Sequence, residues 1–243
     1  MISRITIAIL NYKRPANVHR IITGLRAQTQ PCRIFLWDNS EHAESFTGVD
    51  WLVRSTVNSY CWPRWFMLAN AETEFVMTID DDIELASPTA LETILGELEQ
   101  LAHQTQIIGP EGVLLSGTGD YFPRQSGKIT QSSAVDCLDI SQHLSAGEED
   151  HMVDIVKGRS MAMAVSAVRQ LPLFVGRNEV CDDIAVSSLL SGGRKRAHRV
   201  PAHFRGLFSD LPEKNGQMAL SNNANWRSIR NAARERFFPK DVD

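Results

Sequence analysis

The sequence has no long hydrophobic run. Its N-terminal apolar stretch, Ile5-Thr6-Ile7-Ala8-Ile9-Leu10, falls far short of the ~20 residues that a membrane-spanning helix needs. It also lacks the small-residue cleavage site of a signal peptide. A soluble, cytoplasmic protein without a membrane span is therefore expected. Cys32, Cys61, Cys137 and Cys181 are scattered, and no two stand at C-x-x-C spacing. That argues against a zinc knuckle or redox pair and for reduced, mostly buried thiols, with a disulfide left open. Neither G-x-G-x-x-G nor G-x-x-x-x-G-K-[ST] occurs, so the dinucleotide fingerprint and the P-loop are both missing. There is no internal repeat. With 43% hydrophobic and 22% charged residues over 243 positions, neither disorder nor a coiled coil organises the chain, and one large domain spanning 1–243 is expected.

What is present is unevenly charged. The net charge is −4, yet residues 194–243 hold 11 Lys and Arg against 5 Asp and Glu. An acidic body with a basic C-terminal segment suits a site where a metal meets a phosphorylated ligand. A nucleic-acid footprint or a plain solvated face accounts for it equally.

Along the chain, Ile5 to Leu10 reads as a buried parallel strand. Asn11 to Arg14 follows as a loop, and Pro15 opens a helix whose apolar face is Val18, Ile21, Ile22 and Leu25. Arg33 to Trp37 is a second strand ending at Asp38-Asn39-Ser40. Phe75 to Ile79 is a third, ending at Asp80-Asp81-Asp82. Ser87 and Pro88 begin a helix with Leu91, Ile94, Leu95, Leu98 and Leu101 as its stripe. Gly109 to His151 is loop-rich, Val153 to Val156 is a strand candidate, and helices are predicted after Asp182-Asp183 and over Trp226–Phe238. Residues 206–225, rich in Gly, Asn, Ser and Pro, read as a long mobile loop. The alternation predicts an α/β fold with a mostly parallel central sheet, whose ligands bind beyond the carboxyl ends of the strands. The three polar clusters fall there.

Asp80-Asp81-Asp82 carries the strongest chemical signal. Three adjacent carboxylates repel one another, and a divalent cation relieves that repulsion while supplying Lewis acidity. Alternation along an extended chain puts Asp80 and Asp82 on one side, one to hold the metal and the other a ligand hydroxyl. The plain alternative is an acidic turn.

The order strand–NYKRP–helix, strand–DNS, strand–DDD–helix resembles the nucleotide-sugar half of a GT-A (Rossmann-like) glycosyltransferase. "EVCDDIAVSSLL" (179–190), "RIFLWDNS" and "VDIVKGRSMAMAVSAVRQL" resemble motifs of the exostosin-like family, retaining N-acetylhexosaminyl transferases. Asp38 departs from the Asn that this family carries, and the match loosens after Gly206. The resemblance implies a nucleotide-sugar half over 1–105 and an acceptor half over 106–243. It implies Mn²⁺ or Mg²⁺ as cofactor and a UDP-sugar as donor. It places Leu10, Asn11 and Arg14 near the donor base and phosphates, and Asp38 or Asn39 near the uracil. Asn58 and Arg64 fall in the stretch that contacts the nucleotide. Asp80, with Asp81 beside it, lies by the ribose, and Asp82 is the direct metal ligand. Asp182 and Asp183 face the acceptor and the transferred sugar, and Asp183, matching the second Asp of the family motif, is the one assigned to the chemistry. Arg227 or Arg230 reaches the leaving diphosphate, and His203 is the candidate third metal ligand. A small soluble version suits a bacterium or a phage.

Each residue also has a structural role open to it. Arg14 and Arg64 can pair with carboxylates, Asp182 and Asp183 can complement a helix dipole, and Trp62 and Trp65 suit a core as well as a stacking wall. Two other functions remain open: a nucleotidyltransferase acting on sugar phosphates, and a non-catalytic sugar- or nucleic-acid-binding module. For the transferase the acceptor is a glycan by default, with a hydroxymethylated DNA base as the alternative.

Overall fold

β1 (Ile5–Asn11) and β4 (Phe75–Ile79) are buried along their whole length. In the computed structural model, which describes residues 2–41, 44–101, 106–115, 121, 141–172, 181–212 and 224–239, they lie side by side at the centre of a five-stranded sheet. The other members are β2 (Cys32–Asp38), β3 (Trp51–Arg54) and β10 (Ala162–Ala164), in the order β10-β4-β1-β2-β3. The first four strands in sequence run parallel; β10 is antiparallel to β4. The fold is thus mixed α/β with a mostly parallel sheet flanked by helices.

Pleating sorts the core into two layers. Ile5, Ile7 and Ile9 pack with α1 (Pro15–Arg26) and α3 (Ala90–Gln100). Ala8, Phe35 and Val76 face α2 (Pro63–Ala69), α4 (Val165–Val168) and α5 (Asp182–Ser191). The predicted α1 stripe is the buried one, and each such side chain contributes ~1.5–3 kcal/mol on full burial. Ser87 and Pro88 do not start α3. Their carbonyls accept from Gln28 and Thr29, and the helix begins after Thr89.

Three small sheets surround this body. β5 (Ile83–Leu85) pairs with β12 (Phe208–Asp210), β8 (His151–Val153) pairs with β11 (His198–Val200), and β6 (Glu111–Leu114) lies between β7 (Gln142–Ser145) and β9 (Ile155–Val156). The strand expected over 153–156 is split at Asp154, whose buried carboxylate accepts the N–H groups of Leu115 and Arg196. The stretch expected as a mobile loop from 206 begins instead with β12. Leu207, Phe208 and Leu211 pack on the main core and hold it there; the remainder, 213–223, lies outside the described residues. α6 (Trp226–Phe237) rests on α5. No described helix is long and apolar enough to cross a membrane. Cys32, Cys61 and Cys181 are thiols, and Cys137 lies outside the described residues.

Candidate active site

The parallel register sets Asn11 beside Asp38 and Asp38 beside Arg54 at the carboxyl edge of the sheet. Here the loops bend sharply: Lys13 and Tyr60 both hold left-handed backbone, with φ of 62° and 58°, a conformation uncommon outside glycine. Asn11 is fully buried. Its Nδ2 donates to Asp38 Oδ1 (2.8 Å) and Ser40 Oγ (3.0 Å), and its Oδ1 accepts the Arg14 N–H (3.2 Å). Leu10, at the end of β1, is buried too.

The structure separates the two residues that sequence left as alternatives for the base. Asn39 is consumed: its Oδ1 accepts from Trp37 Nε1 and the Ser59 N–H, and its Nδ2 donates to the Tyr60 carbonyl. Asp38 is 1% exposed; Oδ1 accepts from Asn11 and from the Ser40 N–H, while Oδ2 is buried with no hydrogen-bond partner among the described residues. Asn58 is half-buried and accepts the Tyr60 N–H, fixing the turn.

The repulsion within Asp80-Asp81-Asp82 is met by arginines. Arg64 Nη1 donates to Asp80 Oδ1 at 2.5 Å. Arg14 Nη1 donates to Asp81 Oδ1 at 2.6 Å and lies 3.7 Å from Asp82 Oδ2. Arg159 Nε donates to Asp82 Oδ1 at 3.2 Å. Asp81 also accepts the Tyr12 N–H (2.8 Å), so it latches the β1 loop to the β4 turn. Burial, and then the charges of Asp82, Asp182 and Asp81, push the Asp80 carboxyl up to about 7 against the pull of Arg64. With 32% of its side chain still exposed, water tempers that shift but not its direction.

The second acidic pair opens α5, and neither member is exposed. Asp182 Oδ2 accepts from Arg64 Nε (2.8 Å) and Trp65 Nε1 (2.7 Å), with Arg64 Nη2 also at 2.7 Å. Arg64 thus bridges Asp80 and Asp182 and is itself 1% exposed; it joins the two halves of the site from beneath. Trp65 is core with a polar tip, and Trp62 is core. Asp183 is held by both arms of Arg230, Nη1 to Oδ1 at 3.1 Å and Nη2 to Oδ2 at 2.7 Å. Arg230 stacks over Tyr121, 4.1 Å from the ring centroid. Its guanidinium therefore lies on the carboxylate, as charge-assisted bidentate pairing favours. Arg227 sits on the exposed side of α6. Gly158 explains how these groups fit. A Cβ there would stand 3.0 Å from Arg64 Nη2 and 3.4 Å from the Asp183 Cβ.

His203 is not brought to the aspartates. It lies on a single helical turn (Ala202–Phe204) after β11, and its Nε2 is 2.9 Å from Glu97 of α3, a buried carboxylate shared with Arg199. Among the described residues no group of three or more His, Cys, Asp or Glu side chains is arranged to hold a metal by itself. Sequence reasoning missed Arg159 and Tyr121. Arg159 stood inside a quoted motif, next to Gly158, and only its ion pairs reveal it.

No protein-family model matches the chain, and no curated protein matches it. Among solved structures it is similar to Staphylococcus aureus TarS (residues 1–349), a wall teichoic acid glycosyltransferase, with a TM-score of 0.50 and 13% identity. The likeness covers 82% of this chain and 58% of that one. The likeness is one of fold, while the exostosin-like resemblance rests on its motifs alone.

Proposed function

We propose that the protein moves a sugar from a UDP-sugar to an acceptor hydroxyl, with a divalent cation on the donor diphosphate. One observation carries this reading. Asp80 after β4 and Asp182 opening α5, from distant stretches, are joined through the buried guanidinium of Arg64 at the carboxyl edge of a glycosyltransferase-type sheet, which brings their neighbours Asp82 and Asp183 into the same cluster.

The residues suit a cation. Five aspartates, Asp80, Asp81, Asp82, Asp182 and Asp183, outnumber the four arginines paired with them, Arg14, Arg64, Arg159 and Arg230, which leaves net negative charge for a cation to offset. Asp82 would be the direct ligand, with Asp80 beside it, and bound Mn²⁺ or Mg²⁺ would neutralise the departing diphosphate. Asp38 suits a uracil: its unpartnered Oδ2 is a pure acceptor, matched to an imide N–H and mismatched to the ring nitrogen of cytosine. Asp182, locked by Arg64 and Trp65, keeps the α5 end in place. Asp183 is the carboxylate we assign to the acceptor side. Arg230 must release one of its oxygens before it can accept a hydrogen bond from the attacking hydroxyl. The arrangement works by charge stabilisation and positioning.

A glycan is the acceptor this reading favours. A DNA footprint needs free cations, yet Arg199, Arg205 and Arg230 of the basic segment are paired with carboxylates. Retention and an N-acetylhexosaminyl donor follow from the motif resemblance. The test is a mass-spectrometric screen that offers glycans and hydroxymethylcytosine DNA with a panel of nucleotide sugars. The expected result is a mass increment of one sugar on a glycan, from a UDP-linked donor. Release of pyrophosphate from a nucleoside triphosphate and a sugar phosphate, with no sugar transfer, overturns it.

A further inference from the structure

Arg159 plays no part in the reaction proposed above, yet it is the most connected cation of the site. Its Nε donates to Asp82 Oδ1 (3.2 Å), Nη1 to Glu111 Oε1 (3.0 Å), and Nη2 to Asp210 Oδ1 (2.6 Å) and the Asp82 carbonyl (3.3 Å). Its own carbonyl accepts the Asp80 N–H at 2.9 Å. The side chain is 16% exposed. These partners come from three separate stretches: the β4 turn, β6 and β12. Lys157 also pairs with Glu111, at 2.9 Å, which fixes that anchor from the other side.

The contacts are unequal. Asp210 and Glu111 hold the two terminal nitrogens closely, whereas the Asp82 carboxylate sits on Nε at a longer distance. A guanidinium offers five N–H donors in a rigid fork, so this one can lose the Asp82 oxygen and remain seated on its other two carboxylates. A lysine ammonium cannot span the same set.

We infer that Arg159 is the positioning residue of Asp82: it holds Oδ1 in the cation-free protein and surrenders that oxygen to the divalent cation while staying anchored on Glu111 and Asp210. The inference rests on Asp82 being the cation ligand. It follows that guanidinium and cation compete for one carboxylate. Neutralising Arg159 removes the competitor and leaves the cation-free aspartates less compensated.

The experiment counts free Mn²⁺ by electron paramagnetic resonance, with and without UDP, for the wild type, Arg159→Met, Arg159→Lys and Asp82→Asn. Thermal unfolding of each is followed with and without Mn²⁺. Arg159→Met is expected to bind Mn²⁺ about fivefold tighter, the factor for loss of one partly screened charge contact, and to gain more in Tm from Mn²⁺ than the wild type. Arg159→Lys falls between, and it carries the comparison if Arg159→Met does not fold. Unchanged Mn²⁺ affinity, with Tm lowered equally in both conditions, makes Arg159 a strut and overturns the inference. Wild-type binding that Asp82→Asn abolishes and Arg159→Met leaves alone overturns this inference only. A wild type that binds no Mn²⁺ overturns the cation reading with it.

Discussion

Each of the three consecutive aspartates has its own arginine, and the three arginines come from three parts of the chain: Arg14 from the β1 loop, Arg64 from α2, and Arg159 from the turn before β10. They therefore differ in what their loss should do. Asp81→Asn removes the charge from the carboxylate that Arg14, with 6% of its side chain exposed, holds at 2.6 Å; breaking such a buried pair costs ~3–5 kcal/mol, less what Asp82, 3.7 Å from the same nitrogen, restores. Urea denaturation should show that loss while cation dependence stays as it was. Asp82→Asn should do the reverse, lowering turnover by orders of magnitude with the fold intact; near-normal turnover would remove Asp82 from the site. Asp38→Asn turns the unpartnered acceptor into a donor, and titration calorimetry should find the preference for UDP over CDP reduced or inverted. An unchanged ratio would place the base elsewhere. Asp183→Asn should lose transfer ~10²–10⁴-fold, the scale of a positioned general base, and still bind UDP with Mn²⁺. Asp182→Asn, by freeing Arg64, should weaken both. Sequence could name these residues and, from the motif, prefer Asp183 to Asp182, but it could not rank Asp38 over Asn39. That ranking depends on which oxygens Trp37 and Ser59 already occupy.

The elements with strong periodicity were legible. β1, β2 and β4 appear within a residue of where the apolar runs placed them, and α1 and α6 likewise, while α5 starts two residues earlier, at Asp182. β3 and β12 were not, because a four-residue strand with a half-exposed pattern, WLVR, and a three-residue strand in a Gly- and Ser-rich stretch carry no period to read. Their partners decide them. His203 misled for a related reason: a histidine after the acidic motif can face either way, and the turn after β11 faces it towards α3. The other histidine of that strand has a structural role. His198 is fully buried; its Nδ1 accepts the Ile107 N–H (3.2 Å), so its Nε2–H donates to the Ser187 carbonyl (2.8 Å), joining β11 to α5. Burial lowers it to about 4 despite the Ser187 carbonyl. A histidine depressed in the folded state binds fewer protons than in the unfolded chain. Its contribution is complete above about 6.5 and is lost as pH falls through that value towards 4, by up to roughly 3 kcal/mol. Denaturation at pH 7 and pH 4.5 should show this slope in the wild type and a shallower one in His198→Gln. Equal slopes would assign the acid sensitivity to other groups.

Across the whole molecule, the site exists because the second half of the chain folds back onto the first. β10 closes the sheet beside β4, Gly158 lets Asp182 and Asp183 close onto Arg64, and α6 brings Arg230 onto Asp183. That the central sheet is mostly parallel was legible from strand–helix alternation, whereas the order of its strands and this closure, made by buried ion pairs between residues more than a hundred positions apart in one case, were not. The most direct test of the account is UDP release from a panel of UDP-sugars, by the wild type and Asp82→Asn, in Mn²⁺ and in EDTA. Release from at least one UDP-sugar in Mn²⁺ is expected, abolished by EDTA and by the substitution. Release that is undiminished in EDTA, or no turnover of any UDP-sugar by a folded wild type, would contradict it.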